Sequence, residues 1–346
     1  MPHLVAAPDK FRGTATALEV AHAAATAARA AGWTADEVPM ADGGEGTLDV
    51  LGGKPRWTTV SGPLGRPVTA EWRLLPSGSA GDGPTAVIEM ARAAGRSLLP
   101  APSGQDALAA TTAGVGELVL AAADAGARRI VVALGGSATT DGGLGAVEAI
   151  GTPRRLGDVE LVAACDVRTP FLRAARVFGP QKGAGPEQVE VLERRLAELA
   201  RRYRADFGVD VTQLDGAGAA GGLAGGLAVL GARLRPGFSL LAELVGLPGR
   251  LARADAVMTG EGHLDRSSLD GKVVGSVADT VAGRAPILCV VGAADPDAVA
   301  LLVDRHPLCE VVSLTSVVGA QRASSDTVAS VAQVVGGYLT RHRASG

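Results

Sequence analysis

The sequence contains no asparagine, few aromatic residues and no excess of basic residues. Aromatic side chains make up 3% of the 346 residues, and the formal net charge is −3 with an isoelectric point near 6.0. Because no broad positive field is present, nucleic acid and anionic lipid are not expected as partners. The composition therefore favours a small-molecule ligand, with positive charge acting only locally.

Long apolar runs and cysteine clusters are also missing. No stretch approaches the roughly 18–20 uninterrupted apolar residues of a membrane-spanning helix, and the first residues lack the basic region of a signal peptide. We therefore expect a cytoplasmic protein that does not bind membranes. The cysteines are far apart and lie in or beside apolar segments, which predicts buried thiols instead of disulfides or a zinc site: Cys165, Cys289 and Cys309.

Lysine is scarce, with four lysines among 33 basic residues. Three of them, Lys10, Lys182 and Lys272, lie in glycine-bearing segments. In a chain that otherwise uses arginine, a lysine beside a glycine-rich loop indicates a compact point charge of the kind that binds phosphate. Gly-Lys pairs also occur in ordinary turns, and that alternative stays open here.

Short apolar strands followed by polar loops recur along the chain. The first strand, at 4–7, precedes Asp9 and Lys10, and the helix after it begins with a capping box of Thr16 and Glu19. Further strands are predicted at 130–134, 161–165, 256–259 and 287–291. In open parallel sheets ligands bind at the carboxyl ends of strands, so we expect the loops after these strands to converge on one crevice.

Two other stretches have different patterns. The region 52–83 has short β-branched and aromatic runs separated by Gly-Pro turns, which is typical of a β-hairpin or meander. The region 187–207 has apolar residues at helical spacing among dense charges, which predicts a helix with one buried face: Leu192, Leu196, Leu199 and Tyr203. Together the patterns predict two α/β domains, one of residues 1–55 with 250–346 and a second, of residues 56–249, inserted in it.

Residues 135–143 read Gly-Gly-Ser-Ala-Thr-Thr-Asp-Gly-Gly and directly follow the strand at 130–134. Glycine lets backbone N–H groups approach an anion, the hydroxyl groups of Ser137, Thr139 and Thr140 add donors, and Asp141 offers an oxygen ligand for a metal. The segment predicts a site for phosphate and Mg²⁺. A tight strand-to-helix turn that needs glycine for its backbone alone is the alternative.

Several common motifs are absent or incomplete. Residues 216–221 match Gly-x-Gly-x-x-Gly, but the segment before them is a poor strand and no strand ending in an acidic residue follows, so NAD binding is not expected. A phosphate-approaching turn or close packing through small residues is favoured there. No Walker A motif, zinc spacing or Ser-His-Asp set is present, so acid–base chemistry falls to loop carboxylates: Asp42, Glu45, Asp166, Glu261 and Asp265.

Six ordered blocks of the sequence resemble the type I glycerate kinases over nearly the full chain: 7–13, 40–47, 134–145, 178–184, 216–222 and 259–272. The resemblance implies ATP-dependent, Mg²⁺-assisted phosphorylation of D-glycerate, with 2-phosphoglycerate as the product. It also implies a flavodoxin-like α/β domain with a mainly parallel sheet and a second, mixed α/β domain.

For a chain with this resemblance, we hypothesise a role for each motif. The residues expected to bind the phosphates of ATP are Gly135, Gly136, Ser137, Thr139 and Thr140. The residues expected to hold Mg²⁺ are Asp141, Glu261 and Asp265. Lys10 and Lys182 would neutralise the transferred group, and Asp42 or Asp166 would orient or deprotonate the attacking hydroxyl. The residues expected to bind the acceptor are Asp9, Arg12 and Lys272, with Arg12 or Lys272 on its carboxylate.

The chain departs from the family pattern at a few positions. Arg12 stands where members commonly have lysine, Thr140 and Thr169 stand where they have asparagine, and the stretch between Pro170 and Val177 is shorter. A kinase of another small hydroxy acid, a glycerate 3-kinase and a non-catalytic ligand sensor therefore remain alternatives. A monomer and a homodimer are both open.

Overall fold

The computed structural model describes residues 1–44, 46–77, 83–99 and 101–343. The chain divides into two compact units, and unit 1 comprises Met1–Asp42 with Leu241–Gly346. Unit 2 comprises Gly43–Leu240. The chain therefore passes from unit 1 to unit 2 after residue 42 and returns to unit 1 at residue 241. The sequence-based domain limits, 1–55 with 250–346 and 56–249, stay a prediction.

The strands of the described residues are β1 (His3–Ala6), β2 (Thr34–Glu37), β3 (Lys54–Ser61), β4 (Pro67–Leu75), β5 (Thr85–Glu89), β6 (Arg129–Ala133), β7 (Glu160–Ala164), β8 (Arg233–Arg235), β9 (Ala256–Leu264), β10 (Ile287–Ala294) and β11 (Cys309–Ser313).

The α-helices are α1 (Ala17–Ala30), α2 (Thr47–Val50), α3 (Ala91–Ala94), α4 (Gly104–Ala109), α5 (Ala113–Asp124), α6 (Leu144–Ile150), α7 (Ala174–Phe178), α8 (Pro186–Phe207), α9 (Leu223–Val229), α10 (Gly237–Leu244), α11 (Leu247–Leu251), α12 (Val273–Val281), α13 (Pro296–Arg305), α14 (Leu314–Val318), α15 (Ala320–Ser325) and α16 (Thr327–Arg343). Short 3₁₀ helices span Arg96–Leu98, Pro153–Leu156, Phe171–Arg173, Pro180–Lys182, Val211–Gln213, Ala219–Gly222 and Arg266–Leu269.

Unit 1 is built on a parallel sheet with the order β11-β10-β9-β1-β2. Numbered within the unit, this is the flavodoxin-like order 2-1-3-4-5 read from the β2 edge. The inner strands β1, β9 and β10 are largely apolar and buried, and the core combines Leu4, Met258 and Val290 with Val20 of α1 and Leu339 of α16. The predicted flavodoxin-like parallel sheet is confirmed.

The first helix begins as its sequence predicts. Thr16 accepts a hydrogen bond from the Glu19 amide, and the Glu19 carboxylate accepts one from the Thr16 amide at 2.8 Å. This capping box satisfies amides that the first turn of the helix leaves without partners.

Two strands of this sheet are longer than predicted. The strand predicted to end at Thr259 continues to Leu264, and the one predicted to end at Val291 continues to Ala294. The two extensions pair with each other in parallel, as Ala293 with His263 shows. Gly260 permits this pairing because a Cβ there would lie 1.8 Å from the carbonyl oxygen of Val290. Such non-local pairing overrides the local signal of the glycines.

Unit 2 contains a mixed sheet with the order β3-β4-β5-β6-β7-β8. Strands β3, β4 and β5 pair antiparallel, which confirms the predicted hairpin region, and β5 to β8 pair in parallel. The core lies on this sheet and includes Ile88, Ile130 and Leu161. The predicted helix face of Leu192, Leu196, Leu199 and Tyr203 is buried in α8.

Candidate active site

All of the predicted site residues that belong to unit 1 line one cavity of about 440 Å³: Asp9, Lys10, Arg12, Asp42, Glu261, Asp265 and Lys272. Asp9 follows β1, and Glu261 lies in the carboxyl-terminal part of β9. Strands β1 and β9 are neighbours, and the amide of Asp9 donates to the carbonyl oxygen of Gly260 at 2.8 Å. This is the point at which the strand order of a flavodoxin-like sheet reverses, where ligands bind in such folds.

The carboxylates of Asp9 and Glu261 have raised pKa values. Burial is the main reason that the pKa of Glu261 rises to about 7, and the charge of Asp9 contributes in the same direction. Burial likewise raises the pKa of Asp9 to about 6, with a contribution from Asp42 and against a hydrogen bond from the Lys10 amide. Glu261 Oε1 is buried and has no hydrogen-bond partner. Two acidic groups in this state fit a cation or a substrate hydroxyl.

Asp265, which directly follows β9, has a structural role as well. Asp265 caps the 3₁₀ helix Arg266–Leu269, since its Oδ1 accepts from Ser267 Oγ at 2.6 Å and from the Ser268 amide at 3.1 Å. These bonds lower its pKa. Lys272 Nζ donates to Ser267 Oγ at 2.6 Å, so the predicted lysine adjoins the same turn.

The remaining predicted residues belong to unit 2 and surround the glycine-rich loop at 135–143. Ser137, Thr139 and Thr140 are buried, and the Ser137 hydroxyl bonds to the backbone of Thr139. Gly136 is exposed with a φ of +73°, and Gly135 is partly exposed. Only the two glycines among the predicted phosphate ligands therefore present their backbone toward the surface.

Lys182 is buried, with 3% of its surface exposed. Its Nζ donates to Ser137 Oγ at 3.0 Å and to the Thr139 carbonyl oxygen, and it lies 5.8 Å from the centre of the Phe178 ring. Burial lowers the pKa of Lys182 to about 7, against the attraction of Asp141. These contacts show that Lys182 supports the loop from the protein interior.

The two predicted aspartates of unit 2 also bond to the backbone. Both oxygens of Asp141 are engaged, with Oδ2 accepting from the amide and hydroxyl of Thr112 at 2.8 Å and from the Gly145 amide at 3.2 Å, and Oδ1 from the Gly143 amide at 3.1 Å. Asp166, after β7, accepts from the Gly237 amide at 2.6 Å. The hydrogen bonds of Asp141 favour a role in shaping the loop over metal binding.

The Gly-x-Gly-x-x-Gly segment packs against the same loop. A Cβ at Gly221 would lie 1.9 Å from the Thr139 carbonyl oxygen, and one at Gly222 would lie 2.7 Å from Gly142. The residues before the motif form the 3₁₀ helix Val211–Gln213 and no strand. The close approach of two backbones explains these glycines and supports packing through small residues.

Glu89 is a buried carboxylate that belongs to none of the predicted motifs. It ends β5, is 1% exposed, and its Oε1 accepts from the amides of Gly46 and Leu48, each at 2.9 Å. Arg92 Nε donates to its Oε2 at 3.1 Å. Glu89 thus holds the segment that follows Asp42, and an acidic residue closing an apolar strand was the available signal. Glu45, in the same segment, lies outside the described residues.

Comparison with known proteins places these motifs in one family. A sequence model described as the glycerate kinase family matches residues 4–155 and 151–336. The chain belongs to the glycerate kinase family. It is 36% identical over 355 residues to a glycerate 2-kinase of Escherichia coli strain K12, covering 91% of this chain and 91% of that protein. It is 43% identical over 317 residues to an uncharacterized protein of Mycobacterium bovis, covering 86% and 81%.

Solved structures show the same likeness for this glycerate kinase family member. A crystal structure described as a glycerate kinase 2 from Salmonella typhimurium LT2 is 34% identical, with a TM-score of 0.81 and 99% of both chains covered. The predicted family, the α/β class and the enzyme class, a kinase, are therefore confirmed. Among the described residues, no helix has the length and apolarity to cross a membrane. The cytoplasmic location and the oligomeric state stay predictions.

Proposed function

We propose that this glycerate kinase transfers the γ-phosphoryl group of ATP to a hydroxyl of D-glycerate and that the product is 2-phosphoglycerate. The observation that carries the proposal is the cavity of unit 1, which combines three basic side chains with two carboxylates of raised pKa at the carboxyl edge of the sheet. Phosphoryl transfer depends mainly on positioning and on neutralising charge, and this cavity offers groups for both.

The acceptor is assigned to the cavity of unit 1. Arg12 or Lys272 would bind the carboxylate of glycerate, and Lys10 would neutralise the transferred group. Asp42, which lines the same cavity, would orient the attacking hydroxyl and accept its proton. Asp166 belongs to unit 2 and bonds to Gly237, so it is the weaker of the two candidates for the base.

Mg²⁺ fits the same cavity. Glu261 Oε1 is buried without a partner, and the charge of Asp9 contributes to the raised pKa of Glu261. No group of three or more His, Cys, Asp or Glu side chains that could hold a metal occurs in the described part of the chain. Mg²⁺ is commonly held by one or two carboxylates together with water and substrate phosphates, so Asp9 and Glu261 suffice. When bound, the ion would neutralise phosphate charge.

The nucleotide phosphates are assigned to the loop of unit 2. The backbone of Gly135 and Gly136 is the accessible part of this loop, and the exposed Arg96, whose amide donates to the Gly136 carbonyl at 2.8 Å, adds a positive charge beside it. Ser137, Thr139 and Lys182 would stabilise the loop from the protein interior through the hydrogen bonds that they make with one another. A preformed loop lowers the entropic cost of ordering phosphate ligands.

The test is an acceptor panel with the purified full chain, ATP and Mg²⁺, followed by identification of the product. Glycerate is expected to be much the best acceptor, and ³¹P NMR is expected to show 2-phosphoglycerate. Formation of 3-phosphoglycerate, preference for another hydroxy acid, or binding of ATP and glycerate without turnover would each contradict the proposal. Activity is also expected to disappear when EDTA removes divalent ions and to return with added Mg²⁺.

A further inference from the structure

A second cavity, of about 450 Å³, lies entirely within unit 2. Its walls come from α4 and the residues after it, from the start of α6 and from one face of α8. Two residues of the glycine-rich loop, Thr140 and Asp141, form part of its lining. The cavity therefore adjoins the loop that is assigned to the nucleotide phosphates. No ligand has been assigned to the cavity itself.

The interior of this cavity is apolar. Leu192, Leu196 and Leu199 of α8 are buried and line it, together with the partly buried Leu144 of α6. Ligand sites of this volume are typically apolar, with a few polar groups that fix orientation. Such a surface favours a flat, neutral ring over a small, charged acid such as glycerate.

A single hydroxyl in the wall lacks a partner. Thr140 is 2% exposed, and its Oγ1 has no hydrogen bond, whereas the hydroxyls of Ser137 and Thr139 in the same loop are bonded. A buried polar atom without a partner is costly, and a ligand that supplies one is bound more tightly. A hydroxyl can donate to a ring nitrogen or accept from an exocyclic amine, and a purine carries both groups.

The rim carries charges of both signs. Arg195 and Arg202 are accompanied by Glu148 and Glu198, so the rim has no net attraction for an anion. Arg195 Nη1 donates to the Leu108 carbonyl oxygen at 2.7 Å, which fixes its guanidinium beside the cavity. A fixed guanidinium plane stacks well on an aromatic ring, and the glutamates can accept from sugar hydroxyls.

We propose that this cavity binds the base and ribose of the phosphoryl donor, a purine nucleoside triphosphate. This inference rests on the proposed function, because it places the nucleoside next to the loop that is assigned to the phosphates. The apolar walls, the unpartnered hydroxyl and the neutral rim match a nucleoside, while the basic cavity of unit 1 matches the anionic acceptor.

The test fills the cavity without changing the core. Ala109 is exposed, lines the cavity and is the last residue of α4, so Ala109→Trp introduces a large ring at the rim. Ala30→Trp is the matched control, since Ala30 is also exposed, is the last residue of α1 and lies outside both cavities. Calorimetry measures binding of adenosine and ADP, and steady-state assays measure the KM values for ATP and glycerate.

Ala109→Trp is expected to weaken adenosine binding and to raise the KM for ATP about tenfold or more, with the KM for glycerate unchanged. Ala30→Trp is expected to match the wild type. A second variant, Thr140→Val, is expected to weaken adenosine binding several-fold while the protein stays folded, because the hydroxyl it removes has no partner.

The outcomes separate the two proposals. If the wild type does not bind adenosine, or if Ala109→Trp and Thr140→Val bind it as the wild type does, the cavity assignment is overturned even when the kinase assay succeeds. If adenosine binds and the variants weaken it, the assignment holds, and a failure to phosphorylate any hydroxy acid would then count only against the proposed function.

Discussion

Lys182 Nζ lies 3.0 Å from Ser137 Oγ, beneath a loop that precedes it by 45 positions in the sequence. The same ammonium group donates to the Thr139 carbonyl oxygen, so one buried lysine bonds to two residues of the glycine-rich loop. A lysine buried in this way has to lose most of its hydration, and its hydrogen bonds offset only part of that cost. The consequence is a pKa near 7, which makes the stability of unit 2 depend on pH.

The free energy of unfolding of the wild type, minus that of Lys182→Met, is expected to rise between about pH 7 and about pH 9.5. In the folded protein burial lowers the pKa of Lys182 to about 7, whereas the unfolded chain has a lysine pKa near 10.4. Between these values the unfolded state binds more protons, so stability increases with pH. Urea unfolding of both proteins at several pH values measures this difference in the free energy of unfolding. A difference that does not change with pH would show that the lysine is hydrated.

Lys10 is expected to be essential for turnover. Lys10→Met should lower kcat on the order of a hundredfold or more, because a charge that stabilises the transferred phosphoryl group is lost. Lys54→Met is the control, since Lys54 is an exposed lysine of β3 outside the cavity of unit 1. Both are measured with saturating ATP and glycerate. Equal activity of Lys10→Met and Lys54→Met would remove Lys10 from the proposed site.

Glu261→Gln is expected to raise the free energy of unfolding at about pH 8 and to change it less at about pH 5. The folded pKa of Glu261 is about 7, above the usual value near 4.3. Between these two pH values the folded state binds more protons than the unfolded chain, so the free energy of unfolding falls as pH rises. The glutamine amide does not titrate, so Glu261→Gln does not lose this stability. The difference in the free energy of unfolding between the variant and the wild type therefore grows with pH.

The same substitution gives a test of Mg²⁺ binding. Thermal unfolding of the wild type is expected to shift upward with added Mg²⁺, and that shift is expected to shrink in Glu261→Gln because one carboxylate ligand is gone. Glu310→Gln, in an exposed position of β11, is the control. If the Mg²⁺-induced shift is equal in all three proteins, Glu261 does not bind the ion.

Local patterns in the sequence predicted much of the fold. Three features rest on signals within short stretches of sequence, and the structure has each of them: the strand before Asp9, the capping box of Thr16 and Glu19, and the buried face of α8. The seven predicted residues of the unit 1 cavity came together because they follow or end neighbouring parallel strands. That rule needs only strand positions and one sheet order.

Features that depend on distant partners were not predictable in this way. Lys182 donates to the Ser137 hydroxyl and to the Thr139 carbonyl oxygen from the protein interior, and no local pattern encodes that contact. The extension of β9 beyond Thr259 depends on pairing with β10. The partners of Glu89 were not predictable for the same reason, because the amides that it binds lie 41 and 43 positions earlier in the chain.

Glu89 is expected to be important for stability as well as for the site. Glu89→Ala should lower the free energy of unfolding by about 2–3 kcal/mol, because the amides of Gly46 and Leu48 and the guanidinium of Arg92 lose a buried acceptor. Glu89→Gln keeps a carbonyl oxygen for the amides but loses the charge and the acceptor for Arg92, so a smaller loss of about 1 kcal/mol is expected.

Activity separates the positioning role of Glu89 from simple stability. Under conditions in which every variant is folded, Glu89→Ala is expected to lower kcat because the chain after Asp42 is no longer held, and Glu89→Gln is expected to restore most of it. Glu190→Ala, on the exposed face of α8, controls for the loss of an acidic residue. If Glu89→Ala unfolds at the same denaturant concentration as Glu190→Ala and keeps full kcat, the bonds from Glu89 to Gly46 and Leu48 do not order this segment in solution.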